Sequence, residues 1–431
     1  MKSEKCVATT RQILEALTES FPGIVGARLW DGSTWQSHEN GVPGFTLILH
    51  HPGAARAMFW PFSNLALGES YVFDDFDIEG DTLAFADWMG HLMNAPKTLA
   101  LSVQVGFLLK ILTLPRQFKP RDRAQAGRPT AGKGSQATDQ ESIEYTYDRP
   151  SELYCEFLDP NLQYTCGYFA ESDEDLDAAQ ERKIDYVCRK LRLQPGEQYV
   201  DFGCGWGALL IHAARNYGVD AVGVTLSEEQ AKWAEKSIAE AGLQDKVRIE
   251  LCDYRNFNAP GEFDKASSVG MSEHIGNRNL PTFHNKIHEC LRPGGVYLHH
   301  AITIRPNDPL PVWKDFCWKY VFPNGELQTV VKTLDCAAKA GFEVRDVESL
   351  REHYILTLQH WIRRLVANHD RILKWTDEEG YRIFRLYLSG AVSAFKSGVC
   401  NLHQCLLVKP IHDRPEEYQA GLPLTRASWY E

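Results

Sequence analysis

Val200-Asp201-Phe202-Gly203-Cys204-Gly205-Trp206-Gly207 decides how this chain is to be read. An apolar run ends there in three glycines at alternate positions, with a helical pattern near Trp206–Tyr217 after it. Glycine leaves no side chain where backbone must turn sharply or approach a ligand. Outward from this turn, strand-like runs alternate with helical ones. AVGVTLS (221–227) leads to a helix over 228–241, followed by VRIELCD (247–253) and FDKASSVGM (263–271). A helix over 279–291 and GVYLHHAITI (295–304) continue the pattern. Short apolar strands separated by amphipathic helices predict an α/β fold with a doubly wound, mostly parallel sheet. Such sheets bind ligands outside the carboxyl ends of their strands.

The strand ends carry chemistry. The glycine spacing is G-x-G-x-G, not the G-x-G-x-x-G of a dinucleotide fold, and the second strand ends without the acid that would hold a ribose. It ends instead in Thr225-Leu226-Ser227-Glu228-Glu229-Gln230, and the third in Cys252-Asp253-Tyr254. The Asp253 carboxylate is suited to accept from a nucleobase amino group. A Leu291-Arg292-Pro293-Gly294-Gly295 turn precedes the fifth strand.

Composition bounds the alternatives. The 431 residues exceed one ordinary core and suggest two or three domains. Hydrophobic residues at 44% and charged residues at 24% describe a globular chain, which excludes a fibre or a fully disordered protein. A net charge of −11 argues against nucleic acid as the main partner. Eleven cysteines without a CxxC pair argue against a zinc cage. The most apolar stretch, Phe107–Leu114, is short and holds Lys110, whereas a spanning helix needs about 20 apolar residues. With no apolar signal core at the start, the expectation is a cytoplasmic protein.

Four segments follow. Residues 1–115 are expected to form a small α+β accessory domain, with a helix from Arg11, a strand at Phe45–His51, a turn-rich acidic segment at 68–81 and an amphipathic stretch from Leu83 to Leu92. Residues 116–143 read as a solvated basic linker; from Lys110 to Lys133 there are seven Lys/Arg and one acid, Asp122. Beside the plain reading of a flexible connector stands a contact with an anionic membrane surface. Residues 144–415 form the main domain with a helical cap, and 416–431 a tail.

The ordered set D-x-G-C-G-W-G, VTLSxxQ, Asp-Tyr and LRPGG resembles a class I methyltransferase domain, which implies a seven-stranded sheet and S-adenosylmethionine as co-substrate. The resemblance assigns Tyr147, Asp201, Gly203, Gly205, Gly207, Thr225, Gln230, Asp253 and Tyr254 to its binding. Further motifs narrow it: Leu158-Asp159-Pro160, Gln163-Tyr164-Thr165-Cys166-Gly167-Tyr168, Gly270-Met271-Ser272-Glu273-His274-Ile275-Gly276 and Tyr320-Val321-Phe322-Pro323-Asn324-Gly325. Together they resemble the cyclopropane-fatty-acyl-phospholipid synthase family over about residues 145–408.

That resemblance implies a reaction on the double bond of an unsaturated phospholipid acyl chain. The alkene attacks the sulfonium methyl, and loss of a proton from the new methyl closes a three-membered ring. In the family a bound bicarbonate takes the proton; its holders map to Cys166, Glu273, His300, Tyr354 and the backbone of Ile302. Tyr168, Tyr354 and Trp361 are candidates to stabilise the carbocation through their ring faces. Dimerisation is a further expectation of the resemblance. Plainer readings stay open: Glu273 could serve only as a helix-start acid, and Cys166 and Tyr354 only as packing. His299 and His300 point to opposite faces of a strand, so only one serves the site. A methylene or branched-methyl product shares the first step. Methyl transfer to N or O, or a lipid-carrying scaffold, are the readings of other classes. One departure stands out: Tyr147-Asp148 continues as Arg149-Pro150-Ser151-Glu152 where the family has a glycine-asparagine turn, and Thr146 replaces a histidine.

Overall fold

A computed structural model describes residues 2–94, 101–116, 135–147, 149–306, 314–411 and 425–430. Most of the basic linker, Asp148 and the greater part of the tail lie outside the described residues. The chain divides into two compact units. One comprises Met1–Ala126, Pro309–Val321 and Leu365–Ser397; the other comprises Gly127–Asp308, Phe322–Arg364 and Gly398–Glu431. The division therefore does not follow chain order.

In the first unit, strands β1 (Val25–Arg28), β2 (Thr34–Gln36), β3 (Phe45–Leu49) and β4 (Phe76–Gly80) make a sheet in the order β2-β1-β3-β4. The acidic segment 68–81, read from sequence as turn-rich, lies largely in the helix Asn64–Val72 and in β4. Two of its acids, Glu69 and Asp75, are buried because partners neutralise them. Glu69 meets Lys319 and accepts from the Tyr320 hydroxyl at 2.9 Å, and Asp75 meets His51 at 2.9 Å. Helix Glu378–Lys396 starts on Asp377, whose carboxylate accepts from the Gly380 amide at 2.8 Å. Its Phe384 and Phe395 are core residues.

The second unit holds β5 (Gln198–Phe202), β6 (Asp220–Thr225), β7 (Val247–Leu251), β8 (Phe263–Val269), β9 (Leu291–Ile304), β10 (Glu343–Ser349) and β11 (Cys400–Val408). They form one seven-stranded sheet in the order β10-β11-β9-β8-β5-β6-β7. Only β11 runs against its neighbours. The order reverses between β5 and β8, which opens a crevice at their carboxyl ends. β5 is buried nearly throughout because both its faces are covered, as parallel strands require. Two apolar clusters do this: Val187, Leu210 and Leu298 belong to one, Val222, Phe283 and Tyr297 to the other.

Candidate active site

The crevice beside β5 is a cavity whose wall includes Gly203, Gly205, Thr225, Gln230, Asp253 and Tyr254. Tyr147 and Asp201 also line it. Each of the three glycines has positive φ, +81° at Gly203, +54° at Gly205 and +87° at Gly207. A side chain on Gly203 would stand 3.0 Å from Met271, while at Gly205 there is open space. Gly207 does not line the cavity; it begins the helix Ala208–Tyr217, and a Cβ there would stand 3.0 Å from that of Ala234. Its requirement is helix packing.

Several polar groups at this wall are paired, while the buried hydroxyls of Tyr254 and Tyr164 have no hydrogen-bond partner among the described residues. Ser227 caps the helix Glu228–Glu240 by accepting from the Gln230 amide at 3.2 Å, and Thr225 donates to the Gln230 side chain at 3.1 Å. Asp253 is gripped by Arg255 through Nε at 2.7 Å and a terminal nitrogen at 2.5 Å. Arg255 also holds Asp139 at 2.9 Å. Asp201 sits under the turn, accepts from Ser267 at 2.5 Å, and is pushed up to about 6 by burial, which Ser267 and Lys183 oppose.

Deeper lies a second group. Glu273 is the second residue of the helix Ser272–Cys290, which kinks at Gly276 (φ 78°, ψ 160°). Its Oε1 accepts from the Ile302 amide at 2.7 Å. Burial raises its carboxyl from the ordinary 4.5 to about 7, so near neutrality it carries a proton much of the time. Tyr354, on the helix Arg351–Ala367, is buried, and its phenol is pushed well up by burial and by Cys166, Glu273 and Tyr147 around it. The Cys166 thiol is likewise raised by burial and sits 3.2 Å from the Gly167 carbonyl, which keeps it a neutral thiol. His300 is buried, pushed down to about 3 by burial and then by Lys183 and Lys190. Its neighbour His299 faces the other way, toward Tyr297 at 2.9 Å and the ring of His284 at 5.3 Å. His300 faces away from that pair, toward Gln404 of β11 at 3.0 Å.

Tyr168 is stacked between Tyr186 and His353, at 4.3 and 4.5 Å between ring centroids, while Tyr354 meets Trp361 edge-on at 6.0 Å. The departure at 149–152 builds a short helix, Ser151–Cys155, whose Ser151 hydroxyl accepts from Trp206 of the glycine turn at 2.9 Å.

Three groups escaped the sequence reading. His274 is half-buried, pushed down to about 4 by desolvation, and hydrogen-bonds the Tyr147 hydroxyl at 2.9 Å. Arg255 was hidden because its partner Asp139 is 116 positions away. Lys183 lines the cavity, donates to Thr165 at 2.9 Å and to Gln163, and is pushed down to about 8 by burial. A signal for it existed: Lys183 and Lys190 lie seven apart on the buried stripe of the helix Leu176–Leu191.

Against known proteins, residues 134–405 match the family model described as mycolic acid cyclopropane synthetase. A probable fatty acid methyltransferase of Pseudomonas putida is 37% identical over 406 residues, 94% of this chain and 95% of its own. The cyclopropane-fatty-acyl-phospholipid synthase of Escherichia coli K12 is 35% identical over 268 residues, 62% of this chain and 67% of its own. The crystal structure of the mycolic acid cyclopropane synthase CmaA1 with SAH and CTAB is 33% identical and superposes with a TM-score of 0.60. It covers 63% of this chain and 98% of that one. The seven-stranded sheet is the class I methyltransferase fold, and the chain belongs to the mycolic acid cyclopropane synthetase family, as an S-adenosylmethionine-dependent methyltransferase.

Proposed function

We propose that this protein transfers a methyl group from S-adenosylmethionine to the double bond of an unsaturated phospholipid acyl chain and that the product is a cyclopropane. The observation that carries the reading is the deep group: a carboxyl raised to about 7, a neutral histidine and a buried phenol, beside a cavity suited to a nucleoside. The two wall segments that run into it, Thr165 and His274, are chain neighbours of Cys166 and Glu273.

The glycine turn, Thr225, Gln230, Asp253 and Tyr254 would bind the co-substrate, and Tyr147 would close over it. An alkene offers no polar handle, so the residues around it have to stay uncharged to admit it without desolvating an ion. Glu273, His300 and Cys166 meet that condition. The same groups fit bicarbonate: Nε2 of His300 is buried without a hydrogen-bond partner among the described residues, and Glu273 keeps its acid proton near neutrality. Glu273, His300, Tyr354 and Cys166 would hold it. The Ile302 amide already donates to Glu273, so its part is to orient that carboxyl and leave Oε2 to carry the proton. Bicarbonate, when bound, supplies an exchangeable base for the proton lost from the new methyl group.

The probable fatty acid methyltransferase of Pseudomonas putida, matched along almost the whole chain, supports a second reading with the same first step and a methyl-branched or methylene product. Mass spectrometry and proton NMR of lipids from cells expressing the chain separate the two. A 14-dalton gain with high-field ring protons, absent with Glu273→Gln, is expected. Vinylidene or branched-methyl signals would replace the product, and no gain in any lipid would sink the proposal.

Access to acyl chains requires a bilayer surface, and no helix among the described residues is long and apolar enough to cross a membrane. The 98–133 segment would dock there. In its described part, Val105, Leu109 and Leu112 project at helical spacing, 46%, 60% and 38% exposed, beside exposed Lys110 and Arg116. Cosedimentation with anionic vesicles should drop when Lys110, Arg116, Lys119 and Arg121 are neutralised.

A further inference from the structure

Across the antiparallel edge of the large sheet, His300 of β9, Gln404 of β11 and Glu348 of β10 lie directly opposite one another. Side chains at directly opposed positions share a face. They therefore form a row of three. Lys190 is fully buried above it, its ammonium 2.6 Å from Glu348 and 3.1 Å from Oε1 of Gln404. On its other side the Gln404 amide nitrogen stands 3.0 Å from Nδ1 of His300.

The order of donors along this row has one solution. An ammonium group only donates, so Lys190 selects the amide oxygen and turns the amide nitrogen toward His300. An amide nitrogen only donates, so Nδ1 of His300 must accept. A neutral imidazole that accepts at Nδ1 carries its hydrogen at Nε2. That atom is buried and has no partner among the described residues.

We propose that Gln404, oriented by Lys190, is a positioning residue that locks His300 in the tautomer with hydrogen on Nε2, so that a fixed donor is presented to the anion bound in the deep site. The donor role of His300 rests on the reading under Proposed function; the tautomer does not. Burial and the two lysines that His300 senses keep the ring neutral, so without Gln404 both tautomers become available and one of them presents a lone pair to an anion. Charged groups facing the row are Lys183 and Lys190 from the helix Leu176–Leu191, with Glu348 and Asp346 from β10.

The test uses full-length protein labelled with nitrogen-15 at histidine, with a His300→Gln spectrum to assign the resonance. Wild type should show a protonated Nε2 and a bare Nδ1. In Gln404→Glu the new carboxylate can only accept, so the hydrogen should move to Nδ1. Methyl transfer to vesicles of unsaturated phospholipid should then fall about tenfold or more at pH about 8, and recover as pH is lowered, because the carboxylate placed beside the ring favours its protonated form, which regains a hydrogen on Nε2. Gln404→Leu should fall by a similar factor without recovery. A packing role alone would give both variants the same pH profile. A wild-type ring protonated at Nδ1, or a tautomer indifferent to Gln404→Glu, overturns the proposal. A tautomer that moves while turnover does not leaves the lock standing and instead overturns the reading of His300 as the anion's donor.

Discussion

The two halves of the site handle polarity in opposite ways. Beyond the carboxyl end of β7 the cavity wall carries charges in a satisfied group: Asp253 and Asp139 share Arg255. Behind β8 and β9 two buried groups are pushed toward their neutral forms: Glu273 is raised to about 7 and His300 lowered to about 3. A sulfonium nucleoside is polar and arrives with its own charge, so a paired and hydrated wall suits it. An acyl chain brings no compensation, and each ion left beside it would cost several kcal/mol in desolvation. On the function proposed above, one sheet would present a charge-paired wall to the nucleoside and two neutralised groups to the acyl chain.

The comparison is most exposed to Glu273→Gln. The amide keeps an acceptor for Ile302 and removes only the titratable proton. Turnover should drop by about a hundredfold or more, the usual scale for a group that handles a proton in the reaction, while co-substrate affinity measured by calorimetry stays within about twofold. Loss of affinity instead would mean that the two halves are not separable.

Stability against pH sharpens the neutral half. Glu273 binds its proton more tightly folded than unfolded, so its contribution is complete below pH 4.5 and is lost as pH rises through about 7. In urea titrations, wild type should lose up to about 3 kcal/mol relative to Glu273→Gln across that window, because each tenfold gain in proton affinity on folding is worth about 1.4 kcal/mol. His300 has the opposite sign: its folded value is depressed, so its contribution is present above 6.5 and lost as pH falls toward about 3. A difference between wild type and Glu273→Gln that does not change from pH 4.5 to 7 would show the carboxyl to be unperturbed.

On the charged half, Arg255→Met leaves Asp253 and Asp139 facing each other without a cation. A loss of about 2 kcal/mol in stability is expected, with co-substrate affinity down about tenfold. Gly207→Ala should cost about 1–2 kcal/mol by forcing a side chain into left-handed backbone against Ala234, at little cost to binding, because Gly207 is not on the wall. Lys232→Ala, which breaks an exposed pair with Glu228, should leave the urea midpoint unchanged.

Legibility differed between these regions. β5 and β6 could be read because parallel strands covered on both sides are nearly continuous apolar runs, and the turn after β5 needs glycine by its own backbone angles. β10 could not: its pattern is largely exposed, and it exists because β11 pairs with it. The segment 68–81 read as turn-rich because it is acidic, while Lys319 and Tyr320, some 250 positions away, pair with its buried Glu69.

The sequence by itself determined the alternation of strand and helix, the place of the nucleoside crevice and, through its motifs, the family. These are local properties: periodicity, capping and a backbone that only glycine adopts. Tertiary structure alone decided which titratable groups are neutral and which nitrogen of His300 carries its hydrogen. Burial and hydrogen-bond partners set those states, and for Glu273, His300 and Gln404 the partners come from strands and helices far apart in the chain.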